Sequence, residues 1–339
     1  MNICQVICSA GHGGLERHFA DLCNGLSQRH KVVALAPSGY QGRLVPAVDY
    51  RALPLDSWRY NPVALLRLLA EIRRCEPDIV HAQANKATSM VGSLARWISA
   101  KRVATIHNQR RNVMMFAGYD HVIAVGQQAA AQITGSPVSV VFNGIAASRE
   151  MVTRNPAVLR KRFSIDDPRP LVIALGRMVP AKGFDVLLEA WRGIDACLLL
   201  IGDGPQRSLL EKQANDLGLR GNVRFVGYCA DAAQLLWHAD LLVISSRNEG
   251  FPYVLVEALH ARQVVISTSV SGALDVLPAE YRVSCGSAAA LHDKVQWALD
   301  NIELLRKMYE PVWLMAHQEL TIESMVGRTG AIYQGLLEG

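Results

Sequence analysis

The chain has 339 residues, 50% of them hydrophobic and 19% charged, a length and balance that predict about two globular domains with ample cores. No apolar run reaches about 18 residues and the N-terminus runs straight into the strand-like NICQVICS, so neither a transmembrane helix nor a signal peptide is expected. The formal charge of +5 is uneven: residues 1–165 carry 20 Lys and Arg against 9 Asp and Glu (+11), residues 166–339 carry 15 against 21 (−6).

A basic first half predicts an acidic partner, such as anionic lipid headgroups, a phosphorylated glycolipid or nucleic acid. Nucleic acid would need aromatic residues interleaved with the basic ones, and aromatics make up only 6% of the chain, so it is not the expected partner. The cysteines, Cys4, Cys8, Cys23, Cys75, Cys197, Cys229 and Cys285, are scattered without a C-x-x-C pair. Reduced thiols in a cytosolic protein fit that pattern better than a zinc or disulfide framework.

In chain order, residues 2–9 read as a strand, GHGG at 11–14 as a tight turn, and 15–26 as a helix with Leu15, Phe19, Leu22 and Leu26 at helical spacing. Such a turn presents backbone N–H groups to an anion. It is no dinucleotide fingerprint. The third glycine would fall at Glu16, and the next strand, 31–36, leads into Pro37, Ser38 and Gly39 instead of a ribose-binding acid. Residues 61–75 form an amphipathic helix with Leu65, Leu66, Leu68, Leu69 and Ile72 on its apolar side, ended by Pro77. A strand at 78–82 carries His81, a helix follows at 89–98, and a strand at 102–106 leads to His107. This β-α-β alternation requires a parallel sheet with right-handed crossovers. Arg110 and Arg111 precede Met114, Met115 and Phe116, a basic and apolar loop that either meets a lipid-linked acceptor or the membrane, or folds onto its own domain. Strands at 121–125 and 138–142 flank a helix at 126–134, and the polar stretch 145–169 reads as a linker between domains at 1–150 and 168–317.

The second half opens with a strand at 171–175 and the string GRMVPAKG. Arg177 and Lys182 stand at the carboxyl end of that strand, where two cations suit a diphosphate; no Walker A motif is present. Further strands are expected at 197–201, 223–226, 241–244 and 264–267, helices at 206–217, 232–238 and from 253 onward, and a helical tail over 288–339. Ligands of an open parallel sheet bind beyond the carboxyl ends of its strands, so Glu249 in the loop after 241–244 is placed to reach one. Glu257 lies in an apolar helix segment and needs a partner, either ligand hydroxyls or an arginine such as Arg262.

NEGFPYVLVEAL closely resembles the E-x7-E signature of retaining nucleotide-sugar glycosyltransferases of family 4, and GR-x4-KG at 176–183 and GG-x-E-R at 13–17 resemble two further stretches of that family. The resemblance implies an α/β GT-B fold, two Rossmann-like doubly wound parallel-sheet domains facing a cleft, with a last helix at about 318–339 crossing back onto the first. It implies transfer of a sugar from a nucleotide-sugar, UDP by default, with retention and no metal or other cofactor; no D-x-D occurs, and Arg177 with Lys182 would take the metal's part on the diphosphate. Glu249 would hold the sugar, Glu257 the ribose, and His107 would stand at the reaction centre. Gly13, Gly14, Gly204, Gly250, Phe251, Pro252 and Val254 complete the expected donor contacts, while Glu16, His81, Arg110 and Arg111 are expected on the acceptor side. The acceptor implied is a glycolipid or oligosaccharide, anionic by the charge argument, as in bacterial lipopolysaccharide core, O-antigen or capsule assembly by a cytoplasmic protein at the inner face of the membrane. The alternative is a non-catalytic nucleotide-sugar-binding subunit, which would keep the two cations but need not keep both glutamates.

Overall fold

The computed structural model describes residues 1–11, 13–147 and 153–339; position 12 of the predicted turn and positions 148–152 of the predicted linker lie outside them. The chain divides into two compact units, residues 1–146 with 319–339, and residues 147–318.

The first unit is built on a seven-stranded parallel sheet: β1 (Asn2–Ile7), β2 (Lys31–Ala36), β3 (Val48–Ala52), β4 (Ile79–Gln83), β5 (Lys101–Ile106), β6 (His121–Ala124) and β7 (Val138–Val140), in the order β3-β2-β1-β4-β5-β6-β7. The inner strands are near-continuous apolar runs because both faces of a parallel sheet are covered. β3 was not expected. Its sequence VDYRA alternates polar and apolar residues, as suits an edge strand paired on one side only, to β2. The helix expected at 89–98 starts earlier, over Ala84–Ser93, directly on the end of β4. Leu66, expected on the buried side of its helix, points outward at 66% exposure. Residues 319–339 add the helix Ile322–Glu338, whose Met325 and Tyr333 enter the same core as Phe19, Leu22 and Leu26 of the helix Gly14–Leu26. The two passages of chain through this unit are tied by backbone hydrogen bonds from Ile145 to Leu320 (3.1 Å) and from Ile322 to Ile145 (3.0 Å).

The second unit carries six parallel strands: β8 (Leu171–Leu175), β9 (Cys197–Ile201), β10 (Val223–Gly227), β11 (Leu241–Ile244), β12 (Val265–Thr268) and β13 (Arg282–Val283), in the order β10-β9-β8-β11-β12-β13. The stretch read as linker contains a helix, Pro156–Phe163. It starts at Asn155, a side-chain N-cap, followed by Pro156 in the first turn. Both sheets reverse strand order once, between β1 and β4 and between β8 and β11. That reversal is where a doubly wound sheet opens a crevice at the carboxyl ends of its strands.

Candidate active site

In the second unit the switch point joins the two loops that hold the charged motifs. β8 and β11 are neighbours, so the loops after them, 176–183 and 245–252, emerge side by side. They are laced together by several bonds. The Arg247 N–H donates to the Ala181 carbonyl (2.7 Å) and the Ser245 hydroxyl to the Lys182 carbonyl (2.9 Å). Arg247 also grips Asp185 with both terminal nitrogens (2.7 and 2.6 Å), and its guanidinium holds the Asp185 carboxyl below the usual carboxylate range. The result is an ion pair between Lys182 Nζ and Glu249 Oε1, both partly buried, with the buried Ser246 hydroxyl donating to the same Glu249 oxygen at 2.8 Å. Ser246 is itself anchored through its carbonyl, which accepts from Thr268 Oγ1 on β12 at 2.6 Å.

This geometry is chemically asymmetric. Lys182 keeps further N–H donors beyond the one aimed at Glu249, and the second Glu249 oxygen keeps its acceptor capacity. The pair can therefore hold a diphosphate oxygen and a sugar hydroxyl at once without being broken. Arg177 is exposed in the same loop as Lys182, and among the described residues its side chain makes no hydrogen bond. Gly250, Phe251, Pro252 and Val254 are buried. They anchor the start of the helix Tyr253–His260, on which Glu257 is partly buried. Arg262, the alternative partner considered for Glu257, instead pairs with Glu310 at 2.6 Å. Gly204 lies in the loop after β9, where its N–H donates to Asp203 Oδ1 (2.7 Å) and Met178 N–H donates to the Asp203 carbonyl (2.8 Å).

In the first unit the switch point holds a polar interior. Glu16 is buried and both its oxygens are occupied, one by the Ser9 hydroxyl and one by the Gly13 N–H at 2.8 Å. It fixes the glycine turn, while Gly13 and Gly14 stay exposed at the helix start. In that placement Glu16 supports the turn. His81 is fully buried on β4, its ring nitrogens within 2.5 Å of the Tyr333 hydroxyl and 2.6 Å of Thr105 Oγ1. The interior of the unit encloses it, so its expected acceptor contact is corrected to a structural post. His107 is partly buried. Its Nε2 lies 3.0 Å from Gln83 Oε1, and its ring stands edge-on to His18 at 4.7 Å. Gln83 is held in turn by Gln5 (3.2 Å), and Gln5 by Tyr333 (2.9 Å), so a chain of hydrogen bonds runs from the C-terminal helix to His107. Arg110 and Arg111 are exposed. Asn85, with its amide oxygen turned to the guanidinium, accepts from Arg110 Nε at 2.7 Å. Phe116 is buried and Met115 packs on the core, leaving Met114 as the exposed apolar side chain of the loop.

Ser246, Thr268, Gln83 and His18 were not anticipated. Small polar residues at strand ends carry no spacing signal, and their roles arise from which strands are neighbours. Among the described residues no group of three or more His, Cys, Asp and Glu is arranged to hold a metal ion.

The histidine cluster has a consequence for stability. Burial pushes His18 down to about 4 and His81 down to about 3, and burial beside those two rings pushes His107 well below the usual imidazole range. The unfolded chain takes protons on these rings near pH ~6.5 while the folded chain does not, so the unfolded state binds more protons in acid. The stability contribution is complete above about pH 6.5 and is lost progressively as pH falls toward about 4. Thermal unfolding should therefore show a lower midpoint at about pH 5 than at about pH 7.5, with part of the difference removed in His18→Gln. Equal midpoints at the two pH values would contradict neutral buried imidazoles.

Sequence models of two families match the chain: Glycosyltransferase Family 4 over residues 12–149 and Glycosyl transferases group 1 over residues 157–311. The lipopolysaccharide core biosynthesis glycosyltransferases LpsE and LpsD of Rhizobium meliloti are 27% and 26% identical to it, over 77% and 87% of this chain and 77% and 88% of theirs. Among solved structures, Anabaena Alr3699/HepE in complex with UDP and glucose matches with a TM-score of 0.82 at 18% identity, over 99% of this chain and 100% of that one.

Proposed function

The chain belongs to glycosyltransferase family 4 and has the GT-B fold, and from that premise we propose that it uses a nucleotide-sugar donor and moves a sugar from a UDP-sugar to a hydroxyl of an anionic glycolipid or oligosaccharide, with retention and without a metal. One observation carries the reading: the Lys182–Glu249 pair at the switch point of the second sheet, with Arg177 exposed in the same loop as Lys182. When the bond from the anomeric carbon breaks, its electron pair goes to the diphosphate oxygen. Lys182 and Arg177 stabilise that developing charge, the work a metal ion does in other transferases. Glu249 accepts from the sugar hydroxyls and Glu257 from the ribose. Gly204, Gly250, Phe251, Pro252 and Val254 shape the donor site, and Gly13 and Gly14, without side chains, let its phosphates come close to the backbone.

The leaving phosphate takes the acceptor's proton on the same face as attack. A double displacement needs a carboxylate that can reach the anomeric carbon, and Glu249 is tethered to Lys182 and Ser246. His107 serves the reaction centre as a neutral imidazole, one nitrogen fixed by Gln83. The anionic acceptor is supported by the +11 balance of residues 1–165 and by exposed Arg110 and Arg111. A role in assembly of lipopolysaccharide core is supported by the likeness to LpsE and LpsD. No helix among the described residues is long and apolar enough to cross a membrane.

Thermal unfolding with UDP, GDP, ADP and NAD tests the donor. A ligand at about 100 times its dissociation constant adds about 2.7 kcal/mol, a rise of several degrees in the midpoint. UDP is expected to give that rise and Lys182→Ala to abolish it. A rise with NAD alone would overturn the reading, and a rise with GDP or ADP alone would keep the transferase and replace the donor base.

A further inference from the structure

The two loops at the switch point of the second sheet carry Arg177, Lys182 and Arg247, and these cations are not equivalent. Arg177 makes no hydrogen bond among the described residues, and Lys182 is aimed at Glu249. Arg247 is committed to the protein. Its Nη1 donates to the Pro180 carbonyl at 3.0 Å and to Asp185 Oδ1 at 2.7 Å, and its Nη2 donates to Asp185 Oδ2 at 2.6 Å. Its main-chain N–H donates to the Ala181 carbonyl at 2.7 Å. The stem crosses Gly183, where an added Cβ would lie 3.8 Å from Arg247 Cγ. One side chain therefore spans the neighbouring loop from Pro180 to Asp185, and Lys182 stands between the two points it grips.

That grip matters more for placement than for stability. Arg247 and Asp185 are 39% and 40% exposed, and an ion pair so open to water adds little to folding. Its value is geometric. The planar guanidinium meets both carboxylate oxygens at once, a restraint that a lysine cannot supply. Asp185 lies in the first turn of the helix Phe184–Ala190, where a negative charge is favoured, so the loop is tied to the start of a rigid element. Lys182 carries its charge on a flexible four-carbon stem, so the position of its ammonium depends on the backbone beneath it. A group that stabilises developing charge loses its effect when it is displaced by as little as about 1 Å.

We propose that Arg247 is a positioning residue for sugar transfer: clamped onto Pro180 and Asp185, it holds Lys182 where charge develops on the leaving diphosphate. The proposal rests on the transfer reading given above and adds to it a residue that touches neither donor nor acceptor.

The test is steady-state release of UDP from its sugar conjugate, read with thermal unfolding and amide hydrogen exchange of the ligand-free chain. Arg247→Gln should lower kcat about 10–100-fold while KM moves less than about threefold, because the charge on the diphosphate grows as the bond breaks. Its unfolding midpoint should stay within about 2 °C of wild type. Asp185→Ala should show the same loss, and the double variant no further loss, since both remove one clamp. Arg262→Gln, which breaks the exposed pair with Glu310 in the same unit, should leave kcat unchanged. Exchange of the amides of residues 181–183 and 246–249 should quicken in Arg247→Gln. Wild-type kcat in Arg247→Gln overturns the proposal, and so does an equal loss in Arg262→Gln. Wild-type or higher activity in Asp185→Ala beside a loss in Arg247→Gln also overturns it, and makes Arg247 a phosphate ligand that Asp185 restrains. If the wild-type chain releases no UDP the transfer reading falls by itself, and unchanged exchange in Arg247→Gln brings down the clamp separately.

Discussion

Lys182→Ala should lower the rate of sugar transfer by about 10²–10³-fold, the loss seen when one preorganised charge-stabilising group is removed from a reaction centre. The structure gives two reasons for placing it at the upper end. Lys182 is the cation paired with Glu249, so its loss removes a positive charge and also exposes the negative charge it neutralised. The diphosphate would then leave toward a carboxylate held, among the described residues, by Ser246. Charge repulsion at a partly buried site raises the barrier for bond breaking and weakens donor binding, so kcat and KM should both move. Steady-state release of UDP from its sugar conjugate, read beside thermal unfolding to establish that the variant is folded, checks this. Turnover within about tenfold of wild type in a folded variant would remove Lys182 from the reaction centre.

Gly183→Ala should destabilise the second unit by about 3 kcal/mol or more. Gly183 adopts φ +64 and ψ 26, a left-handed conformation that costs alanine about 1–2 kcal/mol by itself. A Cβ there would also run into the carbonyl oxygen of Ser245, which is backbone and not a movable side-chain tip. The loop bearing Ser246 and Glu249 would have to shift, adding an overpacking cost of about 1–3 kcal/mol. Gly218→Ala is the matched control. It has φ +73 with nothing within 4 Å of the added Cβ, so it should lose only the conformational part. Denaturant unfolding of the two variants separates the terms, and equal losses would show that the Ser245 contact does not constrain the loop. UDP binding should fall in Gly183→Ala and persist in Gly218→Ala, because only the first displaces Glu249.

Much of this was readable from the amino-acid order. β1, β2, β8 and β9 are apolar runs because their strands are buried on both faces. The glycine and proline punctuation between them separated strands from helices. Arg177, Lys182 and Glu249 could be placed in loops after strands from the order of residues alone, while the roles expected of them and of Glu257 came from the family resemblance. What escaped did so for local reasons. The edge strand β3 is half polar because one side has no partner, and the helix Pro156–Phe163 is short and strongly basic, with one buried residue, Leu159. Leu66 read as core because helical periodicity assigns a leucine to the apolar side, while the bulk of the unit closes one leucine short of it.

The sequence by itself therefore determined the two-unit α/β plan, the alternation of strand and helix, and which charged residues stand at the carboxyl ends of strands, since each depends on residues close together in the chain. Only the tertiary structure decided the pairing of Lys182 with Glu249 across 67 positions, and of Tyr333 with His81 and Gln5 across 252 and 328. Lys182 and Glu249 meet because β8 lies beside β11, Gln5 and His81 because β1 lies beside β4, and Tyr333 reaches both because the C-terminal helix packs into that core. Strand order is set by the global packing of apolar faces and crossover helices, which no local spacing records.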